Sequence, residues 1–399
     1  MPTPHVMKLF VLVGIVWAAL VGPFTFAIIL THFGATNSQI GTLSAIAAII
    51  SMVFQPMWGM ISDKTGSPRR VLCFCMVGSA LFFGSVWFVG GLYIVAVLLL
   101  LDVVFRCGIV ALLDSHTMAE VSTVPGLQYG HIRLAGSIFF GIFSLAYSGI
   151  INNWGIMAVV PISFGVIAFA IFWGLIVAKG KSDSIDVNEK RKKQTRTNLR
   201  EDAIALFANR RYMVLIIFLA CTALVSQPMW MFLIAFVTEV GGQYGDVPMI
   251  QALRCVVEIP LFIFVGTACK RVRSQRLMMV GVAFLLVYVI LLMLANSLFM
   301  VAAAHLVGGT PGFIFLLTGR LRFLTEVTPD SVRSTSITLI GTVELGLGAI
   351  IGNAVAGRVI DMYGTQTLAA VCVVAVVAAG GVLLVLSRMK GEPTSSTVG

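Results

Sequence analysis

Charge is what this 399-residue chain has least of: 11% of its residues are Asp, Glu, Lys or Arg, against about a quarter in soluble domains. With 58% apolar residues beside it, that scarcity excludes an ordinary soluble fold. Acidic residues are scarcer than basic ones, and the net charge is +10. Such a balance can mark a nucleic-acid binder. Here, however, most Lys and Arg sit in short joints between apolar runs, where membrane orientation and an anionic leaflet account for them. Five scattered histidines make no metal site. The chain shows no nucleophile–base constellation and no phosphate-cradling glycine loop, so enzyme classes find no support. Seven cysteines, an odd number lying mainly in apolar runs or at their ends, argue against a disulfide framework. Cys73 and Cys75 cannot share a helical face, and these thiols read as apolar packing groups.

What is present is a series of twelve apolar runs, each long enough to cross a hydrocarbon layer of roughly 30 Å as a helix. They fall at about 9–32, 39–61, 70–89, 92–117, 131–151, 155–178, 212–238, 248–269, 276–295, 297–319, 333–357 and 366–387. The first is too long for a secretory h-region and has no convincing cleavage site, so it reads as a span. Even-numbered joints carry the cations: Lys64, Arg69 and Arg70; Lys179 to Arg211; Lys270, Arg271, Arg273 and Arg276; Arg388 and Lys390. Odd-numbered joints are short and carry none apart from Arg358 near the last. By the positive-inside rule, both termini are expected in the cytoplasm of a bacterial-type inner membrane.

The one long polar stretch, with Lys190-Arg191-Lys192-Lys193 at its centre, divides six runs from six. The expected organisation is an N-terminal bundle at 1–178, a basic cytoplasmic linker at 179–211 that serves as a tether, and a C-terminal bundle at 212–399. The halves echo each other at an offset of about 205 residues: Pro23 against Pro228, and Gly59-Met-Ile-Ser-Asp63-Lys64 against Gly266-Thr-Ala-Cys-Lys270-Arg271. The fold class is therefore an all-α integral membrane protein of two pseudo-symmetric six-helix bundles. Breakers punctuate the runs at Pro56, Pro260 and Gly308-Gly309-Thr310-Pro311-Gly312. Glycines at 136 and 141, and at 341, 346, 348 and 352, permit close helix approach.

Ionisable groups inside such runs are expensive, and each is a functional hypothesis. Asp102 and Arg106 lie four apart on one face of span 4, placed to neutralise one another. Arg254 and Glu258 repeat the spacing in reverse in span 8. Asp114 and His116 stand toward the end of span 4, Arg133 opens span 5, and His305 sits in span 10. Glu344, in span 11, has no basic residue within a turn. A lone carboxylate in low dielectric takes up a proton readily, as a proton-coupled carrier requires. The alternative is a cation on another helix, with Arg106, Arg254 or Arg133 as the partners considered.

Three stretches resemble the major facilitator superfamily. Gly59-Met-Ile-Ser-Asp63-Lys64-Thr-Gly66-Ser-Pro-Arg69-Arg70 is similar to its signature loop between spans 2 and 3, which implies a gating role for Gly59, Asp63, Arg69 and Arg70. Tyr129-Gly130-His131-Ile132-Arg133-Leu134-Ala135-Gly136-Ser137 resembles the span-5 opening of the lactose permease, nucleoside symporter and phenylpropionate permease group. Glu258-Ile259-Pro260 and Gly357-Arg358-Val359-Ile360-Asp361-Met362-Tyr363-Gly364 resemble the same group's spans 8 and 11. The resemblance implies solute contacts from Asp114, Arg133, Phe140 (a stacking face where the permease has tryptophan), Glu258 and His305. Arg254 is added as a cavity-lining cation. The permease's proton-carrying glutamate position is Gly308 here, and span 9 lacks its arginine, so Glu344 or Glu258 is expected to carry the proton.

The expected function is secondary transport by alternating access: proton symport of a small polar organic solute. A saccharide or glycoside is favoured over a nucleoside or aromatic acid. Alternatives are a proton-antiport exporter of sugars or drugs, which the absence of proline from span 5 disfavours, and a transport-inactive receptor. No cofactor other than the coupling proton is expected. The expected surroundings are solute and lipid bilayer, without nucleic acid or an obligate protein partner, and the chain is expected to be a monomer.

Overall fold

The structure, a computed structural model, describes residues 4–122, 124, 127, 129–176, 209–269, 271–328, 336 and 340–389. Among these residues there are twelve membrane-length apolar helices and no strands. We number them α1 (Val6–His32), α2 (Asn37–Thr65), α3 (Pro68–Phe88), α4 (Leu92–Val121), α5 (Tyr129–Trp154), α6 (Ile156–Gly174), α7 (Arg210–Met231), α8 (Asp246–Ala268), α9 (Ser274–Met293), α10 (Leu298–Val327), α11 (Ile340–Tyr363) and α12 (Thr365–Arg388). All twelve expected spans are present. Most of the linker expected at 179–211, with its Lys190–Lys193 run, lies outside the described residues, as do Lys270 and Lys390.

The sequence accounts for the departures from straight helix. Pro23, which has no N–H to offer, falls where α1 passes through a 3₁₀ turn at Pro23–Thr25, and the Thr25 hydroxyl donates to the Gly22 carbonyl at 2.6 Å. Pro228 precedes the end of α7, and a short helix, Leu233–Glu239, resumes after Phe232. The Gly308–Gly312 breakers do not end α10. They fall on and just after a π-helical segment, Ala304–Gly309, and the Thr310 hydroxyl donates to the His305 carbonyl at 2.9 Å. A second π segment, Glu344–Gly352, opens α11.

Helices pack chiefly within two halves, α1–α6 and α7–α12, which meet where α2 runs against α11 and α5 against α8. The cores show how the meeting differs at the two ends. One apolar cluster is continuous across both halves; Val21, Phe26 and Tyr147 belong to it together with Phe232, Val237 and Ile360. Two further clusters, one around Leu12, Leu72 and Leu113 and one around Val265 and Ile314, are each confined to a single half.

At the end bearing the odd-numbered joints the halves are latched. The α2 N-terminus has a reciprocal cap between Thr36 and Gln39. Asp361 of α11 reaches across, accepting from the Asn37 and Ser38 backbone N–H groups at 3.0 and 2.7 Å and from Asn37 Nδ2 at 2.9 Å. A carboxylate at a helix N-terminus is favourably placed against the helix dipole. Gly357 allows this approach: a Cβ there would stand 2.2 Å from the Asn37 carbonyl oxygen. At Gly41 a Cβ would likewise meet the Asn353 carbonyl at 2.3 Å. By contrast, Gly59, Gly266 and Gly341, toward the even-joint ends of their helices, face open space. Exposed Trp87, Phe88, Tyr93, Trp154, Phe299 and Tyr363 ring the odd-joint face, as an interfacial aromatic belt does.

Candidate functional site

One cavity lies at the junction of the halves, and a second adjoins it. The interface cavity, of about 240 Å³, is walled by both halves: Phe24, Arg106, Phe140 and Ser144 on one side, and Gln227, Trp230, Gln251 and Asn353 on the other. The second, of about 390 Å³, lies within the C-terminal half and is lined by Arg254, Tyr288, His305, Phe313, Arg320 and Glu344. They adjoin, because Gln227 and Trp230 line both.

In the N-terminal half the charges are matched close by. Arg106 Nε donates to Asp102 at 2.8 Å, and the Ser79 hydroxyl donates to the other Asp102 oxygen at 2.5 Å. Asp102 is fully buried. The guanidinium lies 6.0 Å from the Phe24 ring, and Phe24 meets Phe140 edge-to-face at 5.8 Å. Further toward the even-joint end, Tyr129 and Arg133 lie beside Asp114. The Arg133 guanidinium stacks 4.0 Å from the Trp17 ring, in the space Gly136 leaves open. Trp17 in turn meets Phe140 edge-to-face at 6.3 Å.

In the C-terminal half the charges face the cavity. Arg254 is clamped between the Trp230 and Phe313 rings, 4.4 and 5.2 Å away. Glu258 lies 3.8 Å from its Nε, an ion pair without a hydrogen bond. His305 Nδ1 is 2.9 Å from the Val301 carbonyl, which can only accept, so this nitrogen carries the proton. In the neutral ring Nε2 then accepts from the Tyr288 hydroxyl at 2.7 Å. Glu344 forms an ion pair with Arg320 of α10.

That pair corrects the sequence reading. None of Arg106, Arg254 and Arg133 is the partner of Glu344. Arg320 was missed because span 10 was expected to stop at residue 319, whereas α10 runs to Val327 and carries Arg320 well inside the helix. Helix-compatible residues continuing through Leu321-Arg322-Phe323-Leu324 were the available signal. Tyr288 and Trp230 were also missed, since aromatics inside spans are too common to stand out.

The remaining expected site residues divide. Phe140, Arg254, His305 and Glu344 line the cavities. Asp114, Arg133 and Glu258 line neither of the two; Glu258 pairs with the lining Arg254, and Arg133 packs on Trp17, which meets the lining Phe140. In the signature loop, Gly66 supplies the left-handed C-cap of α2 (φ 63°), and the chain turns directly into Pro68 at the start of α3. Arg69 is buried there, Gly59 is half-buried, and Asp63 and Arg70 are exposed. All seven thiols are free.

Twelve apolar crossings in two halves, with ionisable side chains on cavities at their junction, define a multi-pass membrane transporter. The particular family follows from comparison: the chain belongs to the MFS_1 like family, matching it over residues 7–371. It is 25% identical over 363 residues to the maltose permease of Geobacillus stearothermophilus, covering 90% of this chain and 88% of that one. It is 22% identical over 363 residues to the uncharacterized transporter YwbF of Bacillus subtilis (strain 168), covering 91% and 88%. In fold it is similar to the crystal structure of the nucleoside transporter NupG, with a TM-score of 0.81 at 17% identity over 97% of this chain and 100% of that one. The POT family transporter PepTSo follows the same fold, with a TM-score of 0.75 at 11% identity over 97% and 98%.

Proposed function

We propose that the protein is a proton-coupled symporter of a small polar organic solute, with a saccharide or glycoside favoured and a nucleoside or aromatic acid as further candidates. The observation that carries this reading is the Glu344–Arg320 pair on the wall of a cavity that Arg254 and His305 also line. The pair holds a carboxylate against a guanidinium on the cavity wall, a contact that relative movement of their helices would break. The two residues stand on different helices, α10 and α11, and each helix contains a π segment. Movement of one helix past the other separates the pair and leaves Glu344 free to reload. Coupling follows if reloading occurs only when the cavity faces the other side. Glu258, tethered to Arg254, is the second carboxylate able to take this role.

The cationic joints orient the chain in a bacterial-type inner membrane with both termini cytoplasmic. The latched odd-joint end then faces outward. Asp63, Arg69 and Arg70 lie at the cytoplasmic gate. Aromatic faces with carboxamides and hydroxyls between them suit a solute with a flat apolar face and a hydroxylated edge. Two similar proteins, a maltose permease and a nucleoside transporter, fit that description. Asp114 and Arg133 contribute from the inner mouth of the cavity and through the Trp17–Phe140 platform. No cofactor is invoked, and the monomer is the working unit.

The test is transport by purified protein in proteoliposomes. Solute-driven proton uptake should make the external medium more alkaline, and Glu344→Gln should abolish uphill accumulation while counterflow exchange continues. Accumulation that survives in Glu344→Gln, in Glu258→Gln and in the double variant would remove proton coupling through these carboxylates. Acidification outside would reverse the direction and make the protein an antiporter.

A further inference from the structure

The interface cavity contains two polar groups that the protein itself leaves without partners. Asn353 of α11 is 2% exposed, and its Oδ1 accepts no hydrogen bond. Ser144 of α5 is 1% exposed, and its hydroxyl makes none. Both line the same cavity, from opposite halves. Buried polar groups are almost always paired, because leaving one unpaired forfeits its hydration without replacement. Two on a single cavity wall form a recognition pattern.

The chemistry of a matching ligand can be read from the wall. Asn353 Oδ1 can only accept, so the ligand must offer an O–H or N–H. The Ser144 hydroxyl donates or accepts. Among the described residues Arg106, whose Nε is held by Asp102, is the only charged one lining the cavity, and its counter-charge lies directly behind it. A net anion or cation would therefore have no matching group here, whereas a neutral oxygen would. Phe24 and Phe140 provide the apolar floor. At about 240 Å³ the space falls just under the ~300 Å³ at which pockets for drug-sized ligands begin, so it suits one ring. The rest of a larger solute passes Gln227 and Trp230 into the neighbouring cavity.

We propose that this cavity is a hydroxyl-reading subsite. A neutral hydroxylated ring lies on Phe24 and Phe140. One hydroxyl donates to Asn353 Oδ1, and other ring oxygens meet Ser144 and Arg106. Asn353 and Ser144 are thus specificity-determining residues, and because they belong to different halves, the same contacts tie the halves together beside the latched end. The inference rests on the saccharide-or-nucleoside reading above and adds the residues that would enforce it.

The test uses full-length protein in detergent with maltose and uridine as probes, reading the unliganded melting temperature and the dissociation constant of whichever probe binds. Ser144→Ala and Asn353→Leu should each leave the unliganded melting temperature unchanged or higher, since each removes an unpaired polar group. Each should also weaken probe binding about tenfold, the loss of roughly one well-made buried hydrogen bond. If Asn353→Leu does not fold, Asn353→Ala serves for the affinity comparison. A lower melting temperature with unchanged affinity means that the groups serve the fold internally, and it overturns the subsite. Failure of both probes to bind the wild-type protein overturns the solute class itself, and that outcome is read before any variant is made.

Discussion

The two halves treat their intramembrane charges in opposite ways. In the N-terminal half Asp102 is sealed: its side chain is 1% exposed, one oxygen takes the Arg106 guanidinium and the other takes Ser79. In the C-terminal half the paired carboxylates are accessible, Glu258 at 19% and Glu344 at 23%, and their cations line a cavity. An i,i+4 pair of opposite charge occurs in both halves, so spacing alone does not assign a role. What differs is the third partner. Ser79 completes Asp102, whereas among the described residues Arg254 Nε finds no hydrogen bond, with aromatic faces on its guanidinium and the Glu258 carboxylate 3.8 Å away. A satisfied buried pair fixes structure, and an incompletely satisfied pair beside a cavity can exchange partners. On the proposed function, the N-terminal half serves as scaffold and platform, and the C-terminal half as the part that exchanges charge partners.

The sharpest way to break this comparison is to remove one partner from the sealed pair. Asp102→Leu leaves Arg106 uncompensated in a low-dielectric setting and is expected to cost about 3–5 kcal/mol. The expected readout is a large fall in the melting temperature of the purified protein. Adding Arg106→Leu should recover much of the loss, because replacing both members of a buried pair by apolar groups is often neutral. Solute binding should not recover with it, since Arg106 also lines the interface cavity. An Asp102→Leu protein as stable as wild type would show that the half tolerates an open charge and is no scaffold.

A smaller effect tests the other side. Arg254→Lys keeps the charge but exchanges a planar group between Trp230 and Phe313 for a point charge. Loss of that clamp is expected to weaken solute binding by about tenfold, between the ~0.5–1 kcal/mol of an exposed cation–π contact and the ~2 kcal/mol of a desolvated one. The melting temperature should move little. A large destabilisation with unaltered affinity would make Arg254 a structural residue and erase the contrast between the halves.

Much of this was legible in the sequence, for physical reasons that particular residues make clear. Twelve crossings were readable because each helix must satisfy its backbone internally and face lipid, which forces long apolar runs. The Asp102–Arg106 and Arg254–Glu258 pairs were readable because four residues make nearly one helical turn. Arg320 was not, since hydropathy ends a span where charge begins, while the helix ends where its hydrogen bonds do, and α10 continues for eight residues past the expected boundary at 319. The π segments escaped too: Glu344–Gly352 is apolar and glycine-rich, a composition an α-helix at a close packing site also shows. Ser144 and Asn353 could not be singled out at all. Their interest lies in what they fail to bond, and that is a property of the packed structure.

Arg133 gives the smallest effect and the finest test of the comparison. It belongs to the N-terminal half yet stands among the residues expected to bind solute. The structure sets it on Trp17, with Tyr129 and Asp114 nearby and neither charge on the wall of the two cavities. Its influence on solute then passes through Trp17 to Phe140, which does line a cavity. Arg133→Lys loses the planar stack and the fork toward Tyr129 while keeping a positive charge near Asp114. The expected result is affinity reduced by about two- to fivefold, the ~0.5–1 kcal/mol of an exposed cation–π contact, with unchanged accumulation ratio at saturating solute. A loss of a hundredfold or more would place the guanidinium on the solute itself. The N-terminal half would then set a second guanidinium on the solute, beside Arg106, and would act as more than scaffold and platform.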